Sequence, residues 1–275
     1  MSVGTSCGLS RACSRDLMRA LAAWLLWRKR KDSLLRRRHS LCRGAGPRDA
    51  DEPDGIHHPH APSLNPPGYT RRMTHTELTA LKEQGIDPRV HEVVRCRWSP
   101  RAFAATPLDD TTLRLLFEAA RWAASCANDQ PCRFVVTSKD DLPAYEQMLS
   151  CLNERNQIWA KLAPVLVVTA ARANFAQVPG PNRHGWHDVG LSTGNLMAQA
   201  TALGVSVHVM AGFDAVRARE VLGIPEGFDP VTAMAIGYPG EPSQLPEDFQ
   251  AREVEARRRN PLAEVVSSGR WDIAF

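Results

Sequence analysis

From Met73 onward, hydrophobic positions alternate between helical spacing and short unbroken runs. Thr74 or Thr76 followed by Glu77, Leu78 and Leu81, with Gly85 as a stop, predicts a first helix. Asp87-Pro88 has the form of an N-cap with proline at the first helical position and predicts a short second helix. Asp109 opens a stronger one, because Leu113, Leu116, Phe117 and Ala120 fall at i, i+3, i+4 and i+7 and make one apolar stripe. Residues 133–137 read as a strand, 140–151 and 153–162 as helices, and Pro164 leads into a strongly apolar strand at 165–169. A long helix over 187–203 stops at Gly204, and a strand at 205–210, a helix at 214–222 and a strand at 231–236 follow. Strands this apolar are buried on both faces, so helices must cover the sheet. No segment repeats. The expectation is one α+β domain over residues 73–275.

Residues 1–72 lack this pattern, and they change the meaning of the charge. The chain of 275 residues has a net charge of +4. Residues 1–48 hold twelve Arg or Lys against Asp16 and Asp32, a net +10, which leaves 22 bases and 28 acids, a net −6, for residues 49–275. The folded part is acidic, and the basic pI belongs to one tail. It does not make the protein a nucleic-acid binder. The tail is Arg-rich, Ser-containing and acid-poor, a transit-peptide composition. Its apolar segment from Ala20 to Trp27 runs straight into Arg28-Lys29-Arg30-Lys31 with no small-residue cleavage site, and Arg36-Arg37-Arg38 is followed by polar residues, so neither a secretory nor a twin-arginine signal is read. That segment is also far shorter than the roughly 20 residues that cross a bilayer, and no membrane span is expected. From Pro47 to Thr70 the chain carries Pro, Gly, Asp and the cluster His57, His58 and His60 without periodicity, and reads as a disordered linker. Histidines on such a linker have no fixed geometry for a metal. Residues 1–72 are therefore read as a basic, disordered tail and linker, with Met73 as an alternative start. Targeting, membrane-surface attachment and nucleic-acid contact are the other uses open to such a tail.

The seven cysteines (7, 13, 42, 96, 126, 132 and 151) are odd in number and form no C-x-x-C pair. A zinc ribbon or a dithiol motif is not supported, and a reduced, cytoplasmic setting fits best.

Three segments present donors without nearby acceptors. In Arg97-Trp98-Ser99-Pro100-Arg101, Pro100 disfavours a helical Ser99, so the segment is extended and its odd-numbered residues share a side. That side carries two guanidiniums around a hydroxyl, a match for a phosphate; the plainer reading is a solvated basic turn. Ser125-Cys126-Ala127-Asn128-Asp129-Gln130-Pro131-Cys132-Arg133-Phe134 lies between the Asp109 helix and the strand at 133–137, where a loop must be. Its Ser, Asn and Gln have the groups to bond the edge of a planar heterocycle, although ordinary turn chemistry uses the same residues. Arg257-Arg258-Arg259-Asn260-Pro261-Leu262, with Trp271 near the end, would alone be a solvated face.

In this order, R-x-S-x-R-x-F, then A-x-S-x-x-N-x-Q-P-x-R-F, then R-x-R-x-P-L-x-E-V-V with a late Trp, the chain resembles the nitroreductase family of flavoproteins. Met210-Ala211-Gly212-Phe213 and Ile236-Gly237-Tyr238-Pro239 look like two further landmarks, and the resemblance covers residues 93–271. It implies a nitroreductase-like α+β fold with a central mixed sheet covered by helices, and an intertwined homodimer with two FMN sites at the subunit interface. It implies ping-pong chemistry, with NAD(P)H as a transient electron donor and a nitroaromatic, quinone or similar small planar molecule as acceptor. Carried over by position, it assigns Arg97, Ser99 and Arg101 to the FMN phosphate and ribityl chain, and Arg257 and Arg259 to further cationic contacts with the phosphate. Ser125, Asn128 and Gln130 fall to the loop that meets the flavin from the partner subunit, and the backbone of Ala211 and Gly212 to the edge of the ring. No catalytic acid, base, nucleophile or metal ligand is expected, because the flavin carries the chemistry.

Two positions depart from the family pattern. Cys132 stands where Q-P-W usually has its tryptophan, and Ala124 where a proline is common. Cys126 and Cys132 read as packing residues, His208 as a strand-end or pocket residue, and His184-x-x-His187 lacks partner carboxylates for a metal. The Pro/Gly-rich stretch 178–185, with Arg183, His184 and Trp186, reads as a substrate lid. Gly190, Ser192 and Gly194 permit close helix packing across a dimer. The absence of G-x-G-x-x-G, P-loop, G-x-S-x-G and H-E-x-x-H motifs leaves NAD(P)H no domain of its own. The alternatives on the same fold are a dehalogenase, a flavin-fragmenting enzyme or a ring dehydrogenase. A flavin-binding redox sensor without turnover is the alternative outside catalysis.

Overall fold

The structure, a computed structural model, describes residues 75–273 and 275. The readings of residues 1–72 and of Thr74 lie outside these residues. Helix α1 spans His75–Glu83 and α2 spans Glu92–Cys96, followed by α3 at Asp110–Arg121. Strand β1 is Cys132–Ser138; α4 (Leu142–Leu149) and α5 (Glu154–Ala160) precede β2 (Val165–Arg172). The long α6 is Gly185–Ala202; β3 (Ser206–Met210), α7 (Ala215–Leu222) and β4 (Phe228–Gly237) complete the sheet region. Then come α8 (Glu247–Glu253) and the short α9 (Leu262–Val265), two helices that no apolar period marks in the sequence.

The helix starts have local causes. The carboxylates of Asp109, Asp141 and Asp214 and the amide oxygen of Asn153 each accept a backbone N–H two or three residues on, which satisfies an orphan donor of the first turn. Gly223 closes α7 in the left-handed region at φ 64. Asp87-Pro88 does not open a helix. The Arg89 amide and guanidinium both bond the Asp87 carboxylate and hold a turn there, so α2 begins at Glu92 after His91, whose Nδ1 accepts from the Val93 amide.

The sheet order is β1-β2-β4-β3, and all three ladders are antiparallel. The mixed sheet that the resemblance implied is thus not found among the described residues, because β2 and β3 run the same way but have β4 between them. Strand β2 is buried from Val165 to Ala171. Leu166, Val168 and Ala170 enter one core with Phe103, Tyr145, Trp159 and Phe249, while Val165 and Val167 enter a second with Leu116, Leu196 and Ile236. That two-residue alternation with both faces buried is what sandwiching between helix layers demands: α4, α5 and α8 on one side, α3 and α6 on the other. No described helix is long and apolar enough to cross a membrane. Beyond α8 the chain lies on the surface, and its apolar side chains Leu262, Val265, Trp271 and Phe275 are exposed, Trp271 by 88 %.

Candidate functional site

The extended segment after α2 is held from three directions. From below, His208 of β3 places Nδ1 2.8 Å from the Pro100 carbonyl, so that nitrogen is the donor, and its ring lies 4.4 Å from the Trp159 ring. Burial pushes the imidazole down to about 4, against the pull of the Pro100 carbonyl and helped by the Arg101 charge, and the ring is neutral. From the side, the buried carboxylate of Glu253 accepts from the Arg101 amide at 2.8 Å and the Ala102 amide at 2.9 Å. Burial raises its pKa, opposed by these two amides and by the charges of Arg101 and Lys82. From above, Arg257 donates to the carbonyls of Lys82, Arg95 and Arg97. Lys82 donates to the Glu255 carbonyl at 2.6 Å and lies over the Trp98 ring.

Held in this way, Arg97 donates to Ser99 Oγ at 3.3 Å, so the odd-numbered pair meets as the extended backbone required. Arg101 diverges from them. Its guanidinium lies over the rings of Trp159 and Phe249, at 6.0 and 5.9 Å. Arg97, Arg257 and Arg259 form a cationic corner. Burial lowers the pKa of Arg97 and the Arg259 charge lowers it further, while Arg257 is lowered by burial and then by Arg97 and Arg259. Among the described residues no carboxylate stands within 4.0 Å of these three guanidiniums. Arg257 spends its donors on carbonyls and so supplies charge and rigidity, whereas Arg97 and the exposed Arg259 keep donors free. Part-buried Arg97 and Arg257, each lowered by a neighbouring guanidinium and opposed only at Arg257 by the charge of Glu83, fit a dianionic phosphate.

The Ser125–Gln130 loop is the second part. It contains a one-turn 3-10 helix at Cys126–Asn128, and Ala127, Asn128 and Gln130 all take positive φ, between 51° and 53°. Ser125 Oγ accepts from the Gln130 amide, and Gln130 Nε2 donates to the Asn128 carbonyl, so both side chains are used inside the loop. The Asn128 side chain is exposed and makes no hydrogen bond among the described residues. Asp188, 2 % exposed in the first turn of α6, accepts from the Cys126 amide at 3.1 Å. Cys132, at the position of the missing tryptophan, lies on the wall of a cavity of about 300 Å³ shared with Phe117, Ser125, Gln130, Asp188 and Ser192. Burial pushes the thiol pKa up, which leaves Cys132 a packing residue.

The third part is the turn between β3 and α7. The Gly212 carbonyl accepts from the Asn153 amide and from Asn156 Nδ2, both at 3.0 Å, and Ala211 is exposed. A Cβ at position 212 would come within 2.3 Å of Asn153 Nδ2 and 2.7 Å of Asn156 Nδ2, so a side chain there would displace the amides that pin this turn. Within one chain the described residues make no hydrogen bond or ion pair between the Ser125–Gln130 loop and the cationic corner. Among the described residues no group of three His, Cys, Asp or Glu could hold a metal. Sequence reasoning missed Glu253, Lys82 and Asp188, whose partners lie far away along the chain.

The sequence model of the nitroreductase family matches residues 94–238. A solved structure described as an oxidoreductase containing FMN is 38 % identical with a TM-score of 0.64, covering 68 % of this chain and 95 % of that one. A nitroreductase family protein of Clostridium difficile 630 shares the fold at 23 % identity and a TM-score of 0.50, covering 72 % of this chain and 99 % of that one. A Ralstonia nicotianae protein provisionally named NADH dehydrogenase/NAD(P)H nitroreductase is 28 % identical over 156 residues, half of this chain and 77 % of that protein. These likenesses and the α+β architecture define a flavin-dependent oxidoreductase. The chain belongs to the nitroreductase family.

Proposed function

We propose that the protein binds FMN and uses NAD(P)H to reduce a small planar acceptor such as a nitroaromatic or a quinone. The observation that carries the reading is the cationic corner: beyond one bond each, to Ser99 Oγ and to the Arg258 carbonyl, Arg97 and Arg259 keep donors free beside the rigid charge of Arg257. Each charge-assisted bond to a phosphate there contributes roughly 1.5–3 kcal/mol. The chemistry that FMN supplies when bound is two-electron transfer from NAD(P)H to the acceptor in two successive half-reactions. The chain's own part is binding and orientation. Arg97 and Ser99 take the phosphate end, and Arg101, laid over Trp159, the stem of the cofactor. The peptide planes of Ala211 and Gly212, pinned by Asn153 and Asn156, border the ring. Asn128, with Ser125 and Gln130 shaping its loop, faces the ring from a second copy of the chain. That assignment is supported by the lack of any hydrogen bond or ion pair between loop and corner among the described residues of one chain, and by the exposed apolar side chains of α9 and the C-terminus, which a homodimer would cover.

Residues 73–275 carry this function, and a chain begun at Met73 is expected to bind FMN as the full chain does. The reading is tested by denaturing the purified protein and identifying the released chromophore. FMN is expected; FAD, or a colourless protein that takes up no FMN, overturns it. Steady-state NAD(P)H oxidation with a quinone then separates an enzyme from a flavin-binding sensor, which would show none.

A further inference from the structure

Asp129 sits among the strained residues of the loop, yet its side chain is only 3 % exposed. Its Oδ1 accepts from the Ala176 amide at 2.7 Å and its Oδ2 from Asn182 Nδ2 at 3.1 Å, with Arg172 Nη1 at 3.8 Å. Ala176 and Asn182 belong to a hairpin over residues 173–182, closed by bonds from the Asn182 amide to the Ala173 carbonyl and from the Phe175 amide to the Gly180 carbonyl. Asn182 Oδ1 accepts from the His184 amide at 3.0 Å, so the hairpin is continuous with the start of α6, where Asp188 grips the Cys126 amide. Left-handed conformations at Ala127, Asn128 and Gln130 persist only where the surroundings over-determine them. Two buried carboxylates provide that, one reaching out of the loop from Asp129 to the hairpin and the other reaching in from Asp188 to the Cys126 amide.

We propose that Asp129 is a positioning residue that locks the hairpin at 173–182 and the Ser125–Gln130 loop into one body, so that the hairpin sets how tightly an electron acceptor is held beside Asn128. The inference rests on the flavin reading of the loop. It also fixes a pattern of exchangeable parts. In Asp129→Asn, the new amide offers one acceptor and one donor to two N–H partners, and one contact is lost whichever way it turns. In Asn182→Asp, two carboxylates face each other. In the double variant Asp129→Asn/Asn182→Asp, the amide oxygen now at position 129 still accepts from the Ala176 amide. Its nitrogen donates to the carboxylate now at position 182, whose other oxygen still accepts from the His184 amide.

The test uses the full chain and two readouts. Amide exchange at Ala176, measured without added flavin, is expected to quicken about tenfold in each single variant. With saturating FMN, the KM for 1,4-benzoquinone is expected to rise about 5- to 50-fold in each, with kcat within about twofold. The double variant returns both quantities to within about threefold of the parent. Unchanged exchange in Asp129→Asn, an unchanged KM in the single variants, or a double variant no better than either single one would overturn the inference while leaving FMN uptake intact. A parent protein that takes up no FMN overturns the flavin reading itself, and this inference falls with it.

Discussion

The cationic corner and the Ser125–Gln130 loop are both proposed to meet the cofactor, and they are built on opposite electrostatic plans. In the corner, among the described residues, three guanidiniums gather with no carboxylate paired to them, and hydrogen bonds of the surrounding structure keep them in place: Glu253 holds the Arg101 and Ala102 amides, and Arg257 grips three carbonyls. In the loop Ser125 and Gln130 are bonded internally, and the buried carboxylates of Asp129 and Asp188 hold a strained backbone still. The corner is left incomplete in the flavin-free protein, which favours a ligand but costs stability. The loop, its backbone already held, contributes shape more than affinity.

That contrast can be broken most severely from behind the corner. Glu253→Ala leaves two amides unpaired and removes the carboxylate whose charge favours the buried Lys82 ammonium. A loss of about 3–5 kcal/mol in denaturant unfolding is expected. Next in size is the titration of His208. Its folded pKa, about 4, lies below the ordinary 6.5. Its contribution to stability is therefore fully present above pH 6.5 and is lost as pH falls through 4, up to about 3 kcal/mol. The fall in stability between those pH values should be shallower in His208→Gln than in the parent.

Two substitutions then oppose the two regions directly. Arg97→Ala should weaken FMN binding about 10- to 150-fold in a fluorescence titration, roughly 1.5–3 kcal/mol, and leave the flavin-free protein as stable as before or more so. Asp188→Ala should do the reverse, lowering stability by about 1–3 kcal/mol through the orphaned Cys126 amide. A stabilised Asp188→Ala or a destabilised Arg97→Ala would erase the distinction. The smallest effect belongs to Asn128→Ala: a fewfold slowing of the flavin half-reactions by stopped flow at saturating FMN, with affinity within about threefold. If neither rate nor affinity moves, the loop is only a turn.

How far the site was legible in the sequence follows the same division. Asp109, Asp141, Asn153 and Asp214 announce helix starts because a cap and its amide partner lie within three residues. Arg97 and Ser99 meet because Pro100, directly after Ser99, fixes the local backbone. Asp87 offered the same signal as Asp109, but Arg89, two residues away, took its carboxylate. Glu253 gives no warning, since its partners are about 150 positions earlier in the chain. Asp129 looked like turn chemistry because an aspartate between Asn128 and Gln130 is common in turns, and only the hairpin at 173–182 gives its burial a purpose. The antiparallel ladders were equally out of reach: apolar strands declare burial and not direction.

The sheet order has a consequence for how the molecule is made. The ladder between β2 and β4 joins Val165 to Ile236, and β4 is an interior strand although it is the last of the four to leave the ribosome. Until it arrives, β2 has β1 on one edge and an open row of backbone groups on the other, with apolar side chains on both faces. Pairing at such sequence separation is slow, and an unpaired interior strand invites contact with other chains. Synthesis halted between α7 and β4 should therefore yield a chaperone-dependent nascent chain, and addition of the ten residues of β4 should be the step at which it becomes resistant to protease.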